Sequence, residues 1–330
     1  MDANSAPLEG NAARLVADCR VLPLVLFTGA GIMAPADKDS DWLIPQWCDL
    51  VTELLCRGLR FRVPELRKKP LLEMVLAVID RDMDVYGQAS LAKALLGEAY
   101  LPELRALLYA QGSTPGHGCV GDAAKSRRRY PFFWSVVDLC DCSSAGVSAL
   151  VTYNYDDFLE SRVTQRRAYS VSGPREDSLG TAPDALPVFH VHGHLPPSGR
   201  APDPDDAVVV LAVDEYLDNM AQPYSWQTTT QLHFLRSAVC LFLGVSMTDV
   251  NMLRVLRHAR QYCRRQHTYA LVPAPGGLAT PAECILLQLK ASLLEDLGVR
   301  LIAAPDFATV PQVVDRLRDA LVARRMEAND

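Results

Sequence analysis

Four short segments of the sequence combine glycine with residues that donate, accept or move a proton. They read Gly-Ala-Gly-Ile-Met-Ala at 29–34, Thr-Tyr-Asn-Tyr-Asp-Asp at 152–157, His-Val-His-Gly-His at 190–194 and Gly-Val-Ser-Met-Thr-Asp-Val-Asn at 244–251. Glycine turns let a phosphate approach backbone N–H groups. A histidine beside a glycine suits a general base that must reach a bound ligand. The four segments therefore predict a small-molecule site.

The first segment fits the pattern G-x-G-x-x-[G/A]. Taken alone it is equally compatible with a tight turn between a strand and a helix. A nicotinamide dehydrogenase also needs an acidic residue about 20 positions further on, at the end of a second strand. Asp49 and Glu53 lie at about that distance but in an apparent helix, 47–57, which weakens the dehydrogenase interpretation. The candidate binding residues here are Gly29, Ala30, Gly31 and Ile32.

The second and third segments supply the candidate catalytic residues. Asn154 and Asp156 follow a strong strand, although Asn and Asp also cap strand-to-helix turns. His192 ends another strand, and alternation along that strand puts His190 and His194 on the same face. We expect His190 to pack in the sheet and His194 to be solvated. A three-histidine metal site is disfavoured, because same-face positions on one strand diverge with the strand rise.

The fourth segment begins a helix after a buried strand. Its glycine permits close backbone approach, its serine supplies a hydroxyl, and a helix N-terminus favours an anion. The alternative is that Ser246, Thr248 and Asp249 only cap the helix. The candidate binding residues here are Gly244, Ser246, Asp249 and Asn251.

The elements that position these segments alternate between strands and helices. Apolar runs of strand length occupy 22–28, 149–153, 188–192, 208–212, 239–243, 268–272 and 299–303. A helix after Asp249 carries Val250, Leu253, Leu256 and Ala259 on one stripe, and a last helix begins at Pro311 with Val313, Val314, Leu317 and Leu321 facing inward. This alternation predicts an α/β fold, a Rossmann-like doubly wound and mainly parallel sheet. We assign 1–60 and 147–330 to that domain and 61–146 to a helical insertion.

Composition limits the function classes. The chain has 330 residues, 49% hydrophobic and 22% charged, and a net charge of -6, which gives no general support for nucleic-acid binding. The apolar run 21–34 is too short and too interrupted to span a membrane, and we expect no secretory signal and a cytoplasmic location.

The nine cysteines include no CxxC pair, so His117, Cys119, Cys140 and Cys142 make a weak zinc candidate and we predict no metal.

Taken in order, the segments GAGI, TYNYD, VHG and GVS resemble the signatures of the sirtuin (silent information regulator two) superfamily over roughly 22–272. The resemblance implies NAD as the ligand. The turn 29–31 would hold its pyrophosphate, Asn154 would contact the nicotinamide ribose or position water, and Asp156 would hold the carboxamide. His192 would be the catalytic histidine, and the remaining candidates would bind the nucleotide half.

Departures from that superfamily refine the expectation. The paired-cysteine zinc ribbon of the protein deacylases is missing, and Ile-Pro-Gln-Trp at 44–47 and the tyrosines of TYNYD resemble the bacterial sirtuin-like NADases of antiphage defence. The resemblance implies an NAD⁺ hydrolase that forms ADP-ribose, with cyclic ADP-ribose as an open alternative product. It also implies a homo-oligomer and a separately encoded partner, an ATPase, a helicase or an Argonaute-like protein, or a phage-derived activator. The alternatives are a zinc-free NAD-dependent deacylase and a non-catalytic NAD or ADP-ribose scaffold.

Overall fold

A parallel β-sheet forms the centre of the molecule in the computed structural model, which describes residues 10–36, 46–109, 123–173, 184–197, 209–263, 267–274 and 280–327. The sheet has seven strands, and every hydrogen-bonded pair of strands is parallel. The strands are β1 (Leu24–Thr28), β2 (Val147–Thr152), β3 (Ala168–Val171), β4 (Leu186–His190), β5 (Val239–Leu243), β6 (Thr268–Pro273) and β7 (Val299–Ala304). The predicted α/β fold is confirmed.

Twelve helices longer than one turn accompany these strands in the described residues. They are α1 (Gly10–Asp18), α2 (Trp47–Arg62), α3 (Lys69–Asp82), α4 (Val85–Leu96), α5 (Tyr100–Leu108), α6 (Ala123–Arg129), α7 (Pro131–Asp141), α8 (Val213–Ala221), α9 (Trp226–Ser237), α10 (Val250–Tyr262), α11 (Pro281–Asp296) and α12 (Val310–Glu327). Among the described residues, none of the helices combines the length and the apolarity that crossing a membrane requires.

Helices cover both faces of the sheet, because alternate residues of each strand point to opposite sides. Leu24 and Leu26 of β1 pack in one buried cluster with residues of α1, α7 and α12. Val25 and Phe27 pack in a second cluster with residues of α9 and α10. A strand buried on both faces has a continuous apolar sequence, and this pattern allowed β1 to be predicted from the sequence.

The order of the strands brings the four polar segments to one edge. The order is β3-β4-β2-β1-β5-β6-β7, so the chain moves to one side of β1 first and to the other side from β5 onward. Thr28 is in register with Thr152 of β2 and with Leu243 of β5, and Thr152 is in register with His190 of β4. The loops after these strands therefore start side by side at the point where the strand order reverses, where such sheets bind ligands.

One strand prediction was wrong, and one strand was missed. Residues 209–212, the described part of the predicted strand 208–212, form no ladder: Val210 N–H donates to the His192 carbonyl at 2.8 Å, and the amides of Leu211 and Ala212 donate to the Glu215 carboxylate. The sequence also gave no signal for β3, an edge strand of four residues in which Val171 alone is buried. Short edge strands lack the apolar run that marks a central strand.

The two helices singled out from the sequence have nearly the expected faces. In α12, Val314, Leu317 and Leu321 are buried, while Val313 is partly buried. In α10, Leu256 and Ala259 are buried but Val250 is 51% exposed. The stripe of α10 is shifted toward its neighbours at 251, 252 and 255, because the first turn is placed by its cap rather than by the core.

A third buried cluster joins α2, α4 and α5 with Leu195 and with residues of 209–212. The backbone of α2 approaches α4 closely at Gly58, where an added Cβ would lie 2.9 Å from Leu95 Cβ. By contrast, α7 lies within the predicted insertion 61–146 but packs in the cluster of β1 and α12. The division into 1–60 and 147–330 against 61–146 stays a prediction, and the packing groups α2 with the helical part and α7 with the sheet.

Candidate functional site

A cavity of about 670 Å³ opens at the carboxyl edge of the sheet, between the strand-end loops and the helical cluster. It is of the size that holds a small-molecule ligand, typically ~300–1,000 Å³. A larger cleft, about 890 Å³, lies at the opposite edge beside 19–24 and 145–148, and it contains none of the predicted site residues. We place the site in the smaller cavity because the predicted catalytic and binding residues line it. The predicted residues that line it are Gly29, Ala30, Gly31, Asn154, Asp156, His192, Gly244, Ser246 and Asp249.

The glycines of the first and fourth segments allow two loops to touch. A Cβ on Gly29 or Gly31 would lie 2.8 or 2.7 Å from the Gly244 carbonyl oxygen. Gly244 itself has a φ of +63°, and its Cβ would lie 2.3 Å from Ile32 N. Only glycine fits such a contact, so these glycines have a structural reason that is independent of any ligand.

The backbone amides of the glycine turn are largely used within the protein. Gly29 N–H donates to the Leu243 carbonyl at 3.2 Å, Gly31 N–H to the Gly244 carbonyl at 2.9 Å, and Ile32 N–H to the Gly29 carbonyl at 3.2 Å. The predicted pyrophosphate cradle therefore does not consist of all the amides of the turn. A short 3₁₀ helix, Ala30–Met33, begins here, and Ala30, Gly31 and Met33 line the cavity.

His192 is buried between two tyrosine rings. Its ring is edge-on to Tyr153, with centroids 4.9 Å apart, and edge-on to Tyr216, with centroids 5.7 Å apart. Burial lowers the pKa of His192, and the carboxylate of Asp249 opposes this only in part. The neutral imidazole is therefore the main form at pH 7, which is the form that accepts a proton. The strand ends at His190, so His192 lies in the turn and not in the ladder.

Asn154 and Asp156 lie on the loop that follows β2, and both are buried. Asn154 N–H donates to Thr152 Oγ1 at 3.1 Å, and Asp156 Oδ1 accepts the Phe158 amide at 3.1 Å. Burial raises the pKa of Asp156 to about 7, with a further contribution from Glu160. Both protonation states of this carboxyl are thus available near neutral pH, which is a common feature of functional carboxyls.

Asp249 caps α10 and contacts α8 at the same time. Its Oδ1 accepts the Met252 amide at 2.7 Å, and its Oδ2 accepts the Tyr216 hydroxyl at 2.6 Å. Both alternatives raised by the sequence are therefore present in part: the carboxylate is a helix cap and it also lines the cavity. The adjacent Ser246 hydroxyl is 2.8 Å from Thr248 Oγ1.

Two predicted binding residues lie outside the cavity lining. The side chain of Ile32 is fully buried in the core cluster that contains α7. Asn251 is buried in α10, where its Nδ2 donates to Asn219 Oδ1 at 3.2 Å. The sequence spacing placed both near the ligand, but their positions on a helical turn direct the side chains into protein.

The other two histidines of the third segment lie apart from His192. His190 is buried in the sheet, as predicted, while His194 is buried and not solvated. Their rings stack with centroids 4.2 Å apart. The expectation of one common face was wrong because the strand stops at His190 and Gly193, with a φ of +97°, turns the chain.

An aromatic wall completes the site, and sequence reasoning missed most of it. Trp47 contacts Tyr86 at 5.1 Å between centroids, and Tyr86 contacts Tyr216 at 4.7 Å. Together with Tyr153 these rings reach from the helical cluster to His192. Gln46 and Trp47 line the cavity, whereas Ile44 and Pro45 of the same motif lie outside the described residues. Tyrosine and tryptophan at helical spacing look like core in a sequence, so no local signal marked them.

Met247 was also missed. It is buried and has a φ of +58°, in the left-handed region that non-glycine residues rarely occupy. It lies between Ser246 and Thr248, so the loop that lines the cavity after β5 is held in a strained conformation. Such strain is typical of ligand-binding loops.

Only half of the zinc candidate lies in the described residues. Cys140 is buried in the core and Cys142 is half-buried, while His117 and Cys119 lie outside the described residues. Over the same part of the chain the cavity lining contains the carboxylates of Asp156 and Asp249 but no lysine or arginine.

Comparison with protein-family models matches residues 148–302 to the SIR2-like domain. The match covers β2 to β6 and most of β7, and thus the second, third and fourth polar segments. No curated protein matches the sequence. The family match confirms the resemblance to the sirtuin superfamily that the four segments predicted.

Proposed function

We propose that the protein hydrolyses NAD⁺ to nicotinamide and ADP-ribose, starting from the match of residues 148–302 to the SIR2-like domain. One observation carries the proposal: His192, Asn154 and Asp156 open into the same cavity as the glycine turn and the Gly244 loop. NAD⁺ is the substrate and not a resident cofactor. The proposal names no metal.

The reaction breaks the bond between C1′ of the ribose and the nicotinamide nitrogen and forms a bond from C1′ to a water oxygen. Nicotinamide leaves as a neutral molecule with the bonding electron pair, and His192, neutral at pH 7, takes the proton of the attacking water. Asn154 positions that water or the ribose. Asp156 holds the nicotinamide carboxamide, to which its protonated form donates a hydrogen bond.

The adenosine diphosphate half lies along the Gly244 loop in this proposal. The hydroxyls of Ser246 and Thr248 and the Ala30 amide of the glycine turn supply donors for the pyrophosphate, while the N-terminus of α10 is already capped by Asp249. The aromatic wall of Trp47, Tyr86 and Tyr216 supplies apolar surface for the rings of the ligand.

The biological part of the proposal is NAD⁺ depletion in the cytoplasm during antiphage defence. An NADase must be restrained, so we include a homo-oligomer and a separately encoded partner, an ATPase, a helicase or an Argonaute-like protein, or a phage-derived activator. Exposed apolar side chains on α11 support assembly: Ile285, Leu286, Leu289 and Leu293. A monomer in size-exclusion chromatography that turns over NAD⁺ unaided would contradict the assembly proposal.

The test is nicotinamide release from NAD⁺ by the purified protein, with His192→Ala, Asn154→Ala and, as a matched control, His233→Ala at an exposed position of α9. We expect release by the wild type and the control, and a loss of about 10²–10⁴-fold without the general base. Chromatography of the products separates ADP-ribose from cyclic ADP-ribose.

Two further outcomes identify the alternatives. Release that requires an acyl-lysine peptide indicates a zinc-free deacylase. NAD⁺ or ADP-ribose binding without turnover, even with candidate partners added, indicates a scaffold subunit. Either result refutes the hydrolase.

A further inference from the structure

A row of buried and half-buried polar side chains supports the loop after β2 but does not line the cavity. Ser170 Oγ donates to Glu160 Oε1 at 2.6 Å, and His190 Nε2 lies 2.8 Å from the same oxygen. On the other side of the ring, His190 Nδ1 lies 3.1 Å from the Asn154 carbonyl oxygen. The row thus runs from β3 through β4 to the backbone of a predicted catalytic residue.

The partners of His190 require it to carry two protons. A carbonyl oxygen only accepts, so Nδ1 donates to Asn154, and a carboxylate only accepts, so Nε2 donates to Glu160. The side chains of His190 and Glu160 are 0% and 8% exposed, so this is a buried ion pair. Burial alone lowers the pKa of His190, but the charge and hydrogen bond of Glu160 outweigh it and the pKa is raised.

The pair connects the residues of the site to one another. His190 is on the strand that leads into His192, while the carbonyl it holds belongs to Asn154, two residues before Asp156. The positive charge also acts on Asp156 and Asp157, whose pKa values it lowers against the effect of burial. His194 stacks on the His190 ring.

We propose that His190 and Glu160 are positioning residues: their ion pair fixes the Asn154 backbone relative to His192 and sets the geometry for NAD⁺ cleavage. This inference rests on the proposed function for its consequence on turnover. The structural part of the inference, that the ion pair orders residues 153–158, is independent of the proposed function. Because the required property is a buried cation, His190→Lys is expected to replace the histidine, whereas His190→Gln and Glu160→Gln are not.

The control is a second histidine–carboxylate pair on the same sheet. His267 Nδ1 lies 2.7 Å from Asp18 Oδ2 beside the start of β6, at the edge away from the cavity. His267→Gln therefore removes a more exposed pair of the same chemistry, with side chains 29% and 18% exposed, without touching the loop after β2.

The experiment measures kcat and KM for nicotinamide release, their pH dependence, and amide hydrogen exchange across residues 153–158 in all five proteins. We expect kcat to fall about 10–100-fold in His190→Gln and Glu160→Gln, as misplacement of reacting groups does, with recovery in His190→Lys and no change in His267→Gln. We also expect faster exchange across the loop in the first two variants only. Without the cation the pKa of Asp156 rises. The alkaline limb of the pH–rate profile of His190→Gln therefore moves to higher pH, and that of His190→Lys does not.

The outcomes separate the proposed function from the positioning role of His190 and Glu160. If the wild type releases no nicotinamide even with candidate partners added, the proposed function fails, and the exchange data still decide the positioning role. Unchanged exchange in Glu160→Gln overturns the inference. So does a stoichiometric metal ion in the purified protein that His190→Lys removes, because Glu160, His190 and His194 offer ligand atoms within 4.8 Å of one another.

Discussion

The Tyr216 hydroxyl donates a 2.6 Å hydrogen bond to the carboxylate of Asp249, and the same tyrosine ring lies edge-on to His192. The contact joins α8 to the cap of α10 beside the proposed general base. Asp249 raises the pKa of His192, against the effect of burial. A donor that neutralises part of the Asp249 charge therefore helps to keep His192 in its neutral form.

We expect Tyr216→Phe to shift the acid limb of the pH–rate profile to higher pH. Without the hydroxyl, the Asp249 carboxylate attracts the protonated imidazole more strongly, the pKa of His192 rises, and the proton-accepting form is lost at a higher pH. The shift is expected to be below about one pH unit, since one unit corresponds to about 1.4 kcal/mol. The measurement is kcat/KM for nicotinamide release across pH.

The matched control for this change is Tyr224→Phe, at a position that is 90% exposed. Its profile should coincide with that of the wild type. An acid limb that does not move in Tyr216→Phe, at unchanged stability, would mean that the Asp249 charge does not reach His192.

Gly244→Ala is expected to destabilise the protein. The alanine would combine a positive φ with a Cβ 2.3 Å from Ile32 N, so the loops after β1 and β5 must separate. Backbone strain of this kind costs of order 1–3 kcal/mol, and the clash adds to it. The measurement is the free energy of unfolding in urea.

Gly173→Ala is the comparison, because within the described part of the chain a Cβ there would meet no atom within 4 Å other than those of its chain neighbours. Its stability should stay within about 0.5 kcal/mol of the wild type. Equal stability of the two variants would contradict the close contact between the loops.

The sequence predicted the sheet well where strands are buried on both faces. The run in β1 and the one in β5 have no polar interruption, and both proved to be central strands. The exceptions follow from the same rule: β3 is a short edge strand without such a run. The apolar segment 209–212 is buried but satisfies its amides with Glu215 and with the loop after β4, and a local pattern does not distinguish this from a strand.

The site was predictable to the extent that it depends on strand ends. His192, Asn154 and Asp156 reach one cavity because parallel strands end at one edge. Tyr216 and Tyr86 come from helices far away in the sequence, and only packing brings their rings to His192. The partnership of Glu160 with His190 likewise depends on the register between β2 and β4, which one sequence does not fix.

Asp156→Asn is expected to change how stability depends on pH. The pKa of Asp156 is about 7 in the folded protein against 3.8 ordinarily, so between these values the folded state binds more protons than the unfolded state. Linkage then lowers the stability as pH rises through this window. The asparagine variant does not titrate, so relative to the wild type it should gain stability between about pH 4 and about pH 7.

Urea denaturation of both proteins across this range measures the effect, with Asp296→Asn at an exposed position of α11 as the control. The other groups near Asp156 titrate in both proteins, so the difference between the two curves isolates Asp156. Parallel curves would show that its pKa is close to the ordinary value.

NAD⁺ is expected to protect Cys48 from alkylation. Cys48 is exposed and lines the cavity beside Trp47, whereas Cys284 is exposed on α11 and lies outside it. Burial and the neighbouring Asp49 raise the pKa of the Cys48 thiol, so a maleimide reaction at about pH 8 is needed to populate enough thiolate. Mass spectrometry of the His192→Ala variant, which preserves the substrate during labelling, gives the rate at each cysteine.

Slower labelling of Cys48 with NAD⁺, at an unchanged rate for Cys284, locates the ligand in this cavity. Equal rates at Cys48 with and without NAD⁺, at concentrations that calorimetry shows to be saturating, would place the ligand elsewhere, because a nucleotide beside Trp47 shields the adjacent thiol.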